Sequence, residues 1–235
     1  VKHATNNADV NGRYGVGGFI GYAGKMKQPT VISFEHCINH ANYNEGKYVG
    51  GFVGSIFSNT NITMAISNSI NNGNVTVMDS STGGFVGRIE SNTNITVTIS
   101  NSINNGKIIG QLVNYGHIGG FVGLIDSNTN IAMTVSISIN NGKVTGSGYY
   151  AGGFVGRIDP SKSNSIALGI MSSTNKGNVS AKQGMACGFV SVDSKNNKNV
   201  KTTTKNSINK GSVSAGTNGY GITSNITEAR NVVSM

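Results

Sequence analysis

The chain has 235 residues and a formal net charge of +9, yet only 11% of its residues are charged. That charge content excludes a disordered polyelectrolyte, the lack of any 18-residue apolar run excludes a membrane-spanning helix, and 34 Gly without a three-residue period exclude collagen. Asn, Gly, Ser, Thr, Val and Ile dominate; these are weak helix formers, so a β-rich chain punctuated by Asn and Gly remains.

The chain opens on Val1-Lys2-His3 without an apolar leader and stops at Asn231-Val232-Val233-Ser234-Met235, partway through a recurring pattern. A piece of a longer protein is therefore expected, with residues 1–235 as one repeat domain. The first recurring unit is Gly17-Gly18-Phe19-Ile20-Gly21, followed by Gly50-Gly51-Phe52-Val53-Gly54, Gly83-Gly84-Phe85-Val86-Gly87, Gly119-Gly120-Phe121-Val122-Gly123 and Gly152-Gly153-Phe154-Val155-Gly156. Cys187-Gly188-Phe189-Val190 and Tyr220-Gly221-Ile222 are degenerate copies. The anchors at 19, 52, 85, 121, 154, 189 and 222 recur every 33 to 36 residues. Such a period is the mark of a repeat architecture.

Downstream of each anchor runs a period-2 stretch such as Asn94-Ile95-Thr96-Val97-Thr98-Ile99. It reads as a strand with Ile95, Val97 and Ile99 on one face and Thr96 and Thr98 on the other. A second motif follows, Asn101-Ser102-Ile103-Asn104-Asn105-Gly106, echoed at Asn68–Gly73, Ile137–Gly142, Ser172–Gly177 and Asn206–Gly211. Its central Asn forms a column: Asn39, Asn71, Asn104, Asn140, Asn175 and Asn209, with Asn6 as a weaker copy. The longest spacing, Asn104 to Phe121, contains the irregular stretch Gln111–His117.

About three short strands per repeat cannot enclose a core, but stacked repeats can. The expected fold is all-β: a parallel β-solenoid, right-handed, of about seven coils on the order of 30–35 Å long at the strand spacing. The Asn column is expected to be an amide ladder, the adjacent serines (Ser69, Ser102, Ser138, Ser173, Ser207) a hydroxyl ladder, and Phe19, Phe52, Phe85, Phe121, Phe154 and Phe189 an internal aromatic stack.

Gly-Gly-Phe-Val-Gly, a β-prone stretch and then Asn-Ser-Ile-Asn-Asn-Gly together resemble the GLUG-motif (Gly-Leu-Uncharged-Gly) repeat, over residues 6 to about 226. Phe stands where the family name has Leu. The resemblance implies a β-helical stalk or display segment of a large secreted or surface protein, such as an adhesin, and carries no assigned chemistry.

Candidate chemistry is sparse. Glu90, Asp126 and Asp159 follow their Phe by five residues and Asp193 follows its Phe by four; Phe57 takes this place one repeat earlier. Stacked carboxylates fall in the range used by glycosidases, but each acid begins a turn, and turn chemistry is the simpler reading. His36, Cys37 and His40 are too few for a metal centre. Cys37 and Cys187 lie about four coils apart, too far for a disulfide. The sequons begin at Asn61, Asn74, Asn94, Asn178 and Asn225 and predict surface sugars if a eukaryote secretes the chain. Lys195, Lys198, Lys201 and Lys205 lack interleaved aromatics, so no nucleic-acid partner is expected.

The expectation is thus a non-enzymatic structural or adhesive segment, extracellular or at the cell surface, with no catalytic residue, cofactor or metal. Its expected partners are further repeats of the same chain, end-to-end copies, anionic glycans or a host surface. The alternatives are a polysaccharide-acting β-helix enzyme and a component of an intracellular or extracellular filament.

Overall fold

The computed structural model describes residues 1–24, 27–77, 81–111, 116–127, 129–148, 150–160, 165–192, 200–216, 229–230 and 233–234. It is an all-β parallel solenoid of about 5 turns. One turn comprises Ser81–Gly83, Val86–Ser91, Ile95–Ser100, Ile103–Asn104 and Ile108–Gly110, which define the first to fifth strand positions. Five positions replace the three expected strands. Two-residue and Gly-containing segments are too short to show alternation, so only the long second and third positions read clearly as strands.

Each strand pairs in parallel with its counterpart one turn away. Val97 lies opposite Met64 and Met133, and Asn104 opposite Asn71 and Asn140. Ser81 pairs with His117 and Gly110 with Gly146, so the extra residues of the long repeat fall between strands and leave the register intact. His117 belongs to the strand His117–Gly119 rather than to an irregular loop, and residues 112–115 lie outside the described residues. Between the Val155–Pro160 and Val190–Val192 strands the register shifts, where the later repeat is one residue shorter.

Five turns, from Lys47 to Ala215, contribute a strand to every position. Before them Tyr14–Gly17, Ile20–Gly24, Thr30–Glu35 and Ile38–Asn39 form a partial turn, with Tyr43 bridging to Val75. Only Ala229–Arg230 and Val233–Ser234 are described beyond it. Among the described residues five complete coils stand where seven were expected, with partial rungs at either end, and the seventh anchor, at 220–222, lies outside the described residues.

The interior is divided in two. One core fills the space between the second and third positions, with Phe85, Val86, Ile89, Ile95, Val97 and Ile99 as one rung. The other lies between the first and fifth positions and includes Val49, Val75, Ile108, Ile118 and Val144. At the waist between them, the Gly-Gly corner faces the Asn column. A Cβ on Gly51, Gly84 or Gly120 would collide with the amide of Asn71, Asn104 or Asn140. Glycine at that position is what lets the two walls meet.

The Phe rings stack along the axis, with centroids 4.8 Å apart for Phe52–Phe85, 4.9 Å for Phe85–Phe121 and 4.8 Å for Phe121–Phe154. Phe19 and Phe189 extend the column at 4.9 and 5.7 Å. Phe34, edge-on to Phe52 at 5.6 Å, closes the N-terminal end. Each stacked pair contributes about 0.5–1.5 kcal/mol beyond its burial.

In the Asn column, Asn71 Nδ2 donates to Asn104 Oδ1 at 2.8 Å, and Asn104 Nδ2 to Asn140 Oδ1 at 2.8 Å. The same bond links Asn39 to Asn71, Asn140 to Asn175 and Asn175 to Asn209, each at 2.7 Å. The second amide hydrogen goes to a Gly carbonyl two residues on, as from Asn104 to Gly106. A buried amide satisfied at both ends replaces its lost hydration.

The serines do not form a hydroxyl ladder. Ser102 Oγ donates to Ser100 O at 2.7 Å and accepts the backbone N–H of Ser69 at 3.3 Å, so each hydroxyl ties one turn's backbone to the next. The distance of one rung is too long for hydroxyl-to-hydroxyl contact and suits hydroxyl-to-amide contact. The residue before each Ser of this column, or before Cys37 in its place, is left-handed: His36 at φ 54°, Asn68 at 50°, Asn101 at 46°, Ile137 at 48°, Ser172 at 48° and Asn206 at 49°.

Candidate ligand-binding groove

The groove begins with the glycine two residues after Phe19, Phe52, Phe85, Phe121 and Phe154. A Cβ on Gly87 would lie 2.5 Å from Gly54 O and 2.6 Å from Tyr48 C, so the second-position strand presses directly on the first-position backbone. Gly54, Gly123 and Gly156 sit in equally tight contacts. This crease makes the side chains flanking it face one another along the solenoid axis. From the second position come two columns in register: Tyr22, Ser55, Arg88, Leu124 and Arg157, then Gly24, Phe57, Glu90, Asp126 and Asp159. From the first position come Tyr48, His117 and Tyr150.

Arginine links the two sides. Arg88 Nη2 lies 3.0 Å from Glu90 Oε2 and 2.8 Å from Asp126 Oδ2, while its Nη1 donates to Tyr48 Oη at 2.7 Å. Arg157 pairs with Asp159 at 3.0 Å, and its Cζ lies 4.5 Å from the Tyr150 ring centroid. Arg157 Nη1 is 3.0 Å from His117 Nε2. A guanidinium only donates, so Nε2 accepts and the His117 proton sits on Nδ1, facing Ser81 Oγ at 3.3 Å. Burial, with Arg157 and Arg88 nearby, pushes the His117 pKa down to about 3. Burial raises that of Glu90; Asp126 adds to the rise and Arg88 opposes it.

At its N-terminal end the groove widens into a cleft of about 390 Å³ lined by Tyr14, Tyr22, Tyr48, Phe57, Arg88 and Glu90, with Gly15 and Ser55. Tyr14 is 69% exposed and Tyr22 51% exposed. Lys47 Nζ lies 5.6 Å from the Tyr14 ring centroid.

The remaining sequence candidates scatter. Asn61, Asn74, Asn94 and Asn178 are exposed, and Asn225 lies outside the described residues. Asn74 Oδ1 accepts the Lys107 N–H at 2.9 Å and Asn178 Oδ1 the Ser212 N–H at 3.0 Å. His36, Cys37 and His40 diverge. His36 is exposed and stacks on His3 at 5.1 Å, Cys37 is buried in the Ser column, and His40 is exposed beside Asn72. Among the described residues no group of three His, Cys, Asp or Glu is placed to hold a metal ion, and no helix is long and apolar enough to cross a membrane. Cys37 and Cys187 are both buried, and no disulfide joins them. Lys201 and Lys205 sit on the strand Val200–Lys205, while Asp193, Lys195 and Lys198 lie outside the described residues.

Sequence reasoning found the carboxylate column but missed Tyr14, Tyr22, Tyr48, His117 and Tyr150. Arg88 and Tyr48 are 40 residues apart on different strand positions, and only the Gly crease brings them together. The readable signal was the Gly at 54, 87, 123 and 156, between Val and the outward Ser55, Arg88, Leu124 or Arg157; Ser191 takes its place after Val190. No protein-family model, curated protein or solved structure matches the chain.

Proposed function

We propose that this chain is a non-enzymatic repeat segment of GLUG type from a large extracellular or cell-surface protein, serving as a rigid spacer with an adhesive, glycan-binding face. The observation that carries this reading is the groove. Its aromatic rings and paired charges line one side of a rod whose every rung is tied to the next by Phe, Asn and Ser columns. Continuous ladders favour stiffness, because bending opens several columns at once. Its partners are further repeats, end-to-end copies, and glycans of a host or matrix surface. The net charge of +9 adds attraction to anionic ones.

Beads coated with the 235-residue chain should adhere to glycan-bearing surfaces and lose adhesion after enzymatic deglycosylation of those surfaces. Beads that fail to adhere to any such surface would remove the adhesive role. Sugars detected on Asn61 or Asn94 of the native protein would place it on the secretory route and discard the intracellular filament.

One observation favours a second reading, an enzyme acting on polysaccharide. Glu90, whose pKa is raised by burial, shares Arg88 with Asp126, and two carboxylates of unlike environment are the usual glycosidase pair. Release of reducing ends from polysaccharide, abolished in Glu90→Gln and Asp126→Asn, would establish it over the spacer reading.

A further inference from the structure

We infer that the N-terminal mouth of the groove is a binding subsite for an uncharged sugar, stacked on Tyr14, Tyr22 and Phe57 and hydrogen-bonded by the Arg88–Glu90 pair. This rests on the adhesive reading and narrows it to one place and one ligand class.

The exposed rings come first. Tyr14 and Tyr22 are the two large aromatic residues left mostly in water among the described residues, and they border the same cleft. Rings left in water contribute little to folding. They suit a ligand that is apolar on one face and polar at its edge, which describes the C–H face and hydroxyl rim of a pyranose.

The charges decide between neutral and anionic sugars. Arg88 already carries two carboxylates, Glu90 and Asp126, so the cleft wall offers no surplus cation there. A carboxylated or sulfated sugar seated beside Arg88 would meet Glu90, and the other cation near the mouth, Lys47, lies over the Tyr14 ring instead. Hydroxyls find what they need: carboxylate acceptors, the tyrosine hydroxyls, and Ser55 on the floor at 4% exposure. The volume of about 390 Å³ falls in the range of small-ligand sites.

Position along the rod is the last argument. Farther along, the same columns hold Leu124 with Asp126 and then Arg157 with Asp159, and the ring beside Arg157 is stacked under its guanidinium. The open pair of rings occurs at the N-terminal mouth.

The test is binding of the 235-residue chain to neutral hexasaccharides (a β-1,4-glucan, a β-1,4-mannan and a chitooligosaccharide), with heparin as the anionic comparator. It is read by saturation-transfer NMR and calorimetry. At least one neutral hexamer should bind, and Tyr14→Ala and Tyr22→Ala should each weaken it about tenfold. Lys182→Ala, at an exposed position just after the fifth-position strand Val179–Ala181 and outside the cleft lining, should not change it. Circular dichroism should stay at wild type in all three variants, since the rings are exposed. Absence of neutral-sugar binding, binding indifferent to both tyrosines, or a preference for heparin that Lys47→Ala abolishes would each overturn the subsite. Adhesion that persists in the Tyr14→Ala/Tyr22→Ala double variant would overturn it while leaving the adhesive role standing. A wild-type chain that adheres to nothing would remove both.

Discussion

A Cβ placed on Gly84 would lie 2.6 Å from Cγ of Asn104, on the opposite wall of the same turn. The same near-contact recurs between Gly120 and Asn140 and between Gly153 and Asn175, each at 2.6 Å. The waist separating the two cores is therefore closed backbone to amide, with no room for a methyl group. Gly84→Ala must push the corner outward or displace a ladder amide. It should destabilise the protein by about 3 kcal/mol. Gly169→Ala is the comparator. Its Cβ would meet the mobile end of Met171 at 3.2 Å, and its effect should stay within about 1 kcal/mol. Equal shifts in chemical denaturation for the two variants would discredit the waist.

Ile137 holds a left-handed turn at φ 48° while 64% exposed. A β-branched residue there is strained and gains little from burial. Its counterparts Asn68 and Asn101 adopt the same turn and join side chains at 2.6 Å. Ile137→Asn should stabilise by about 1 kcal/mol, by relieving strain and lengthening that outer ladder. A lower midpoint of thermal unfolding in this variant would refute the strain argument.

Thr82 is fully buried in the smaller core, and its Oγ1 has no hydrogen-bond partner. Its register neighbours are Val49 and Ile118. Thr82→Val keeps the shape and removes the stranded hydroxyl, so a gain of about 1 kcal/mol is expected, raising Tm by about 2–4 °C. An unchanged or lowered Tm would mean that the hydroxyl is satisfied in solution.

His117 should make the fold acid-sensitive. Its folded pKa of about 3 lies below the ordinary histidine value of about 6.5, so between these values the unfolded chain binds a proton that the folded one refuses. Stability then rises with pH in that window, is complete above about pH 6.5, and is lost progressively toward pH 3, by on the order of 5 kcal/mol at the limit. Glu90, with its pKa raised, acts in the opposite sense over the carboxylate range. His117→Gln keeps an acceptor for Arg157 and cannot titrate. Its unfolding free energy measured from pH 7 to pH 4 should fall less steeply than that of wild type. Parallel slopes would show that the histidine is not the sensor.

Much of the fold is legible in one dimension because the molecule is nearly one-dimensional. A contact between Phe85 and Phe121, or between Asn71 and Asn104, is a contact between equivalent positions of adjacent repeats, so subtraction along the chain finds it. The long third-position strand also reads directly, since Ile95, Val97 and Ile99 alternate with Thr96 and Thr98 and the first three are buried. The hydroxyl ladder failed for a reason of length. A serine side chain is too short to span a rung to another serine, though long enough to reach a backbone amide.

Contacts within a turn were another matter. Nothing in the spacing of Tyr48 and Arg88, or of Gly84 and Asn104, marks them as neighbours, because the path between them passes through corners whose angles depend on every packed side chain. The order of residues by itself determined the repeat length, the parallel register and the columns that run along the axis, since identical units stack only in step. Only the tertiary structure decided the shape of the cross-section: its waist, its two cores and the groove with Tyr14 and Tyr22 at the mouth. That shape follows from how closely glycine lets one strand of a turn approach another, and such an approach leaves no period in the sequence.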